Sequence, residues 1–96
     1  MLNVKTTMTA VLTLEGRLDT TTSSQLEEAI AAAEGAEAIR LDMRGLEYIS
    51  SAGLRVLLKT EKAQREKGGS LTLEAPTEEV MEVLRITGFD SLLNIV

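Results

Sequence analysis

The side chains best placed to do chemistry lie in one short stretch, "YISSAGLRVLL", residues 48–58. Ser50 and Ser51 stand side by side, followed by Ala52, Gly53 and, one helical turn beyond Ser51, Arg55. The run falls where an alternating apolar segment gives way to helical spacing. A hydroxyl at such a junction can cap the helix by accepting from first-turn amides that lack intrahelical partners. It can equally be modified, because the same amides and the helix dipole stabilise a phosphoryl group. Arg55 would lie within reach of that group. Residue types alone leave both roles open. A second polar cluster, Asp19 with Thr20, Thr21 and Thr22 in "GRLDTTT", has the composition of a turn whose side chains satisfy local amides.

Other chemistry is excluded by what the chain lacks. There is no cysteine and no histidine, which removes the thiolate nucleophile and the commonest general base and metal ligand. No two carboxylates are placed by sequence as an acid–base pair. "EKGGSL" is not a phosphate-binding Walker loop, since it lacks the Gly-Lys-Ser/Thr ending and precedes a strand pattern. The expectation is therefore a protein that is not an enzyme and holds no metal or cofactor. A net charge of −5 argues against direct nucleic-acid binding. The charge is uneven: residues 52–67 carry Arg55, Lys59, Lys62, Arg65 and Lys67 against Glu61 and Glu66. That basic helix face is either solvated or a place for a protein partner to dock. No segment approaches the roughly 18 continuous apolar residues of a membrane span, and "MLNVKTTMTA" lacks the apolar core of a signal peptide. A cytoplasmic monomer is expected.

Ninety-six residues suit one small domain, residues 1–96, with a core of Leu, Ile, Val, Met and Ala, since Trp is absent and Phe and Tyr occur once each. "LNVKTT" and "AVLTLEG" are short β-prone runs. In the second, Leu12 and Leu14 alternate with Thr13 and Glu15. A helix follows, with Ser24–Glu27 or Thr22–Gln25 as a capping box and Leu26, Ala29, Ile30 and Ala33 as its apolar stripe. "AIRLDMRGL" alternates again, Ile39, Leu41 and Met43 against Arg40, Asp42 and Arg44. The second helix runs to about Lys67, burying Leu54, Leu57 and Leu58 with Val56 flanking. "SLTLEA" is a further strand. A third helix opens at Thr77, with Glu78 and Glu79 near its positive end and Val80, Val83 and Leu84 inward. "SLLNIV" reads as a last short strand or a packed tail. Alternating strands are wet on one side, so the helices should share one face. The expected architecture is a two-layer α/β sandwich over a mixed sheet in order 1-2-3-4, its first two strands antiparallel. It has four strands, or five if the tail contributes one.

"GRLDTTTSSQL", "IRLDMRGLEYISSAGLRVLL" and "VLRITGF", in this order and spacing, resemble the STAS domain, and among its members the free-standing anti-sigma factor antagonists of bacteria. The resemblance spans essentially the whole chain. It implies that the serine two positions before the Gly-Leu pair, here Ser51 before Gly53-Leu54, is phosphorylated by a partner anti-sigma factor that is also a GHKL-type serine kinase. It further implies that the unmodified protein binds that partner and frees a sigma factor, and that a PP2C-type phosphatase reverses the modification. Many members carry Asp directly before the phosphorylated serine, whereas this chain has Ser50 there. Asp19 falls where the family has an Asp near the phosphoserine loop. The partner surface expected there comprises Asp19, Thr20, Ser50, Ser51, Ala52 and Gly53. The charge distribution adds Arg55 and Lys59 of the basic helix face as a further place for the partner to dock. Small STAS proteins also serve as unphosphorylated scaffold subunits, for example in lipid-transport ABC systems, and that reading stands as the alternative.

Overall fold

The computed structural model describes Leu2, Val4 and residues 8–96. Along the chain run β1 (Thr9–Leu18), α1 (Ser23–Ala32), β2 (Ala38–Ile49), α2 (Ser51–Glu66), β3 (Ser70–Glu74) and α3 (Glu78–Thr87). A 3-10 turn (Phe89–Ser91) and β4 (Asn94–Ile95) complete it. The strands form a 4-stranded sheet in order β1-β2-β3-β4, and every neighbouring pair is parallel. Parallel neighbours need a crossover, and a helix lies in each connection. Right-handed crossovers that always step the same way put all the helices on one face.

The alternation read from the sequence is the alternation of burial. Ile39, Leu41 and Met43 of β2 are buried beneath the helices with Leu71 and Leu73 of β3. Arg40 and Arg44 stand on the open face, where both pair with Glu74 and Arg44 also with Asp42. Asp42 points outward because it alternates with buried Leu41 and Met43, and it meets Arg44 there; exposed pairs of this kind contribute about 0–1 kcal/mol each. The helices close the core with Leu26, Leu54, Val56, Leu57, Val80 and Leu84. Each fully buried large aliphatic side chain contributes roughly 1.5–3 kcal/mol. Val56 is buried and Leu58 only half-buried, so the buried arc of α2 is turned slightly from the one expected.

The antiparallel partner expected at 2–7 lies outside the described residues, apart from Leu2 and Val4, whose side chains are exposed. The sheet that is described is wholly parallel. "SLLNIV" resolves into the end of the 3-10 turn and β4, with Asn94 beside Thr72 and Ile95 beside Leu73. Thr77 caps α3 as expected, accepting from the Val80 amide at 3.3 Å while its hydroxyl donates to the Leu46 carbonyl at 3.0 Å.

Neither capping box expected for α1 is used. Thr22 occupies the cap position with no side-chain bond to the helix. Asp19 starts the turn instead: its Oδ1 accepts from the Thr21 and Thr22 amides, and its carbonyl from Ser23. The chain is already coiled through residues 20–22, so the capping group moves upstream to the first side chain able to reach the free amides.

Candidate functional site

Parallel pairing brings the carboxyl ends of β1 and β2 together, Leu18 opposite Ile49. The loops that leave them, 19–22 and 50, therefore share one edge of the sheet, and the Ser50 amide ties them by donating to the Leu18 carbonyl at 2.8 Å. Ligands meet parallel α/β sheets at this carboxyl edge.

The two serines divide the roles left open by the sequence. Ser50 is the N-cap of α2: its backbone is extended, its Oγ accepts from the Gly53 amide at 3.3 Å, and its carbonyl accepts from Leu54. Its amide, its carbonyl and an acceptor site of its hydroxyl are thus engaged. Ser51 is the first helical residue and exposed, and its hydroxyl makes no hydrogen bond among the described residues. The Ser51 and Ala52 amides likewise take no acceptor among the described residues, so the positive end of α2 retains capacity for an anion beside the Ser51 hydroxyl.

Gly53 is buried and packs against the end of β1. A Cβ there would lie 2.7 Å from Leu18 Cγ and 3.0 Å from Ile49 Cγ1, so the first turn of α2 comes this near the sheet because residue 53 has no side chain. Ala52 beside it is half-buried. Arg55 is exposed one turn past Ser51.

Asp19 is held by its own loop. The Thr22 hydroxyl accepts from the Asp19 amide at 2.9 Å and donates to the Arg17 carbonyl at 2.7 Å. The Thr22 amide, foremost, keeps the Asp19 carboxyl below the usual aspartate value. Partial desolvation opposes the shift, while the Thr22 hydroxyl, the Thr21 amide and the charge of Arg17 add to it. Asp19 makes no hydrogen bond to Ser51; it shapes the neighbouring loop, with Thr20 exposed on it. Lys59 lies about 12 Å along the helix from Ser51 at 1.5 Å per residue. It forms an ion pair with Glu27 of α1 at 3.4 Å, which partly neutralises the basic face there.

The structure thus gathers Asp19, Thr20, Ser50, Ser51, Ala52, Gly53 and Arg55 at one edge and sets Lys59 apart. Two features of this region escape a sequence reading. Arg17 lies over the Tyr48 ring, 4.2 Å from its centroid, on the open face of the sheet beside this edge. At the far end of α2, buried Gln64 donates to the Ala36, Glu37 and Ser70 carbonyls and so sets where the helix ends over the sheet. Gln64 occupies an apolar position of the α2 repeat, and a polar residue on that stripe is the signal that could have found it. A groove of about 540 Å³ between α1 and α2 is walled largely by Ile30, Ile39, Val56 and Ala63 and includes neither Ser51 nor Asp19. Among the described residues no acidic cluster is arranged to hold a metal, and no helix is long and apolar enough to cross a membrane.

The chain is similar to known proteins over most of its length. The family model described as "Mlab, STAS domain" matches residues 2–94. The chain is 41% identical over 81 residues to BtrV of Bordetella bronchiseptica, named as an anti-sigma factor antagonist, covering 82% of this chain and 70% of that one. It is 31% identical over 84 residues to the anti-sigma-B factor antagonist of Bacillus subtilis, covering 85% and 76%. Among solved structures, unphosphorylated SpoIIAA superposes with a TM-score of 0.80 at 22% identity, covering 100% of this chain and 86% of that one. The phosphorylated form of SpoIIAA from Bacillus gives 0.72 at 21%, covering 100% and 89%.

Proposed function

The chain belongs to the STAS domain family, and from that premise we propose that it is an anti-sigma factor antagonist switched by phosphorylation of Ser51. Unmodified, it binds an anti-sigma factor that is also a GHKL-type serine kinase, and a sigma factor is released. Phosphorylated, it lets the partner go until a PP2C-type phosphatase removes the group. The partner contacts the edge formed by Asp19, Thr20, Ser50, Ser51, Ala52 and Gly53 and the outer face of α2 at Arg55 and Lys59. The protein acts in the cytoplasm as a single domain and monomer, not as an enzyme.

One observation carries the reading: of the two adjacent hydroxyls, Ser50 is committed to capping α2 and Ser51 is exposed and uncommitted. Of the serine pair, a kinase reaching this edge finds Ser51 as the hydroxyl free of any hydrogen bond among the described residues. The names of the relatives support the antagonist role, and the solution of SpoIIAA in both forms supports a modification that the fold tolerates. A phosphate adds about −1.5 to −2 charge beside amides able to hold it, so the domain need not rearrange. Buried in a complementary interface, the same group brings desolvation and steric cost. A loss of about 3–4 kcal/mol weakens binding a few hundred-fold, since about 1.4 kcal/mol is tenfold.

A scaffold role without phosphorylation is favoured by the Mlab description of the matching family model. Intact-mass and peptide mass spectrometry of the protein expressed in its own host, with a Ser51→Ala control, separates the two. A phosphate on Ser51 that vanishes in the control supports the switch. No phosphate across several growth conditions leaves the scaffold. Charge reversal at Arg55 and Lys59 should weaken the kinase partner more than tenfold; unchanged affinity removes the α2 face from the contact.

A further inference from the structure

The arginines are not equivalent. Arg40, Arg44, Arg65 and Arg85 each hold a carboxylate of this chain. Among the described residues, Arg17 and Arg55 are the arginines without an ion pair, and they flank Ser51 from opposite layers. Arg55 is on the helix side, one turn past the serine. Arg17 is on the open sheet face, paired in register with Tyr48. Its guanidinium is spread over the Tyr48 ring, and Tyr48 remains 38% exposed.

We propose that Arg17 and Tyr48 form a second half of the partner-binding surface, carrying the contact from the Ser51 edge onto the open face of the sheet, where the Arg17 guanidinium receives a carboxylate of the partner. The proposal rests on the antagonist reading above. Its geometric basis is footprint. An interface of standard size covers about 800 Å² per partner, a disc of about 16 Å radius. Tyr48 stands within about 10 Å of Ser51 along the chain at roughly 3.3 Å per residue. A partner seated over Ser51 that also wraps the sheet edge comes within reach of Tyr48 and Arg17.

The chemistry fits that position. The guanidinium over the ring makes no side-chain hydrogen bond or ion pair among the described residues, so its N–H groups can engage a carboxylate in the two-pronged way lysine cannot. Stacking already restrains both side chains, so less conformational freedom is lost on docking. Tyr and Arg are also the residue types on which binding energy concentrates. The two unpaired arginines call for an acidic partner surface, one carboxylate above the edge and one below it.

The test is a pull-down from lysate of the native host using the full chain, with eluates searched by mass spectrometry for a GHKL-type protein. Calorimetry then follows with that purified protein. Arg17→Ala and Tyr48→Ala should each weaken it at least tenfold, and the double variant no more than the stronger single one, because the two act as a unit. Tyr48→Phe, which keeps the ring, should bind within twofold of the parent, as should Arg44→Ala, a control elsewhere on the open face. Circular dichroism melts of all variants separate lost contact from lost fold. Parent-like affinity for Arg17→Ala and Tyr48→Ala would overturn this inference alone and leave the antagonist reading standing. If the parent chain retains no GHKL-type protein and carries no phosphate on Ser51, both fall together.

Discussion

Leu18 and Gly53 are in such close contact that an added Cβ at residue 53 would sit 2.7 Å from Leu18 Cγ and 2.9 Å from Leu18 Cδ2. This contact joins the end of β1 to the first turn of α2, the two elements that carry the Asp19 loop and Ser51. Leu18 is buried, and Ile49 Cγ1 lies 3.0 Å from the same point, so an added Cβ would have to displace packed side chains.

Gly53→Ala should therefore destabilise the protein by about 1–3 kcal/mol, the usual cost of overpacking. The strain falls on the first turn of α2, so the Ser51 amide resonance should shift more than amides in α3. Urea denaturation and an amide-correlation spectrum check both. A variant as stable as the parent would mean that α2 stands off the sheet further than its geometry indicates.

Acid should remove the contribution of Asp19 in a defined window. Its folded carboxyl titrates below the ordinary value of 3.8, so the unfolded chain takes up a proton first as pH falls. The stabilisation is complete above about 3.8 and is lost as pH drops through the lower folded value. Asp19→Asn retains an oxygen to accept from the Thr21 and Thr22 amides but has no charge to titrate. Its melting temperature should fall less steeply than the parent's between pH 4 and pH 2. Parallel curves would show that Asp19 is not stabilised by ionisation.

Gln64→Ala should cost about 2 kcal/mol, because the Ala36, Glu37 and Ser70 carbonyls lose the donor they share at the end of α2. Gln64→Glu should be worse at neutral pH, since a buried carboxylate would face three carbonyl oxygens, and should recover as the pH is lowered. Chemical denaturation at pH 7 and pH 4.5 distinguishes the two. Because Gln64 lies at the opposite end of α2 from Ser51, modification at Ser51 should be unaffected in either variant while the fold persists.

Much of this was legible in the residues. Strict alternation through Ile39, Leu41 and Met43 fixes which face of β2 is buried, because side chains along a strand repeat every second residue. Helical spacing through Leu54, Leu57 and Leu58 and the Gly68-Gly69 stop define α2 to within a residue or so. The serine pair at a strand-to-helix junction marks the carboxyl edge of the sheet. These are local properties of the chain, and local chemistry is enough to specify them.

What only the tertiary structure decided are the matters of register and of competing hydroxyls. From Thr13 opposite Asp42, an unbroken ladder would set Arg17 against Leu46; two irregularities in β2 move its partner to Tyr48. No spacing rule reveals a bulge, so the Arg17–Tyr48 pair is invisible until the strands are joined. Ser50 and Ser51 are likewise equal as letters. They differ because the Ser50 amide is drawn to Leu18 and its backbone held extended, which leaves its hydroxyl facing the Gly53 amide and Ser51 facing outward. That choice comes from the neighbouring strand, residues far away along the chain, and only folding brings them together.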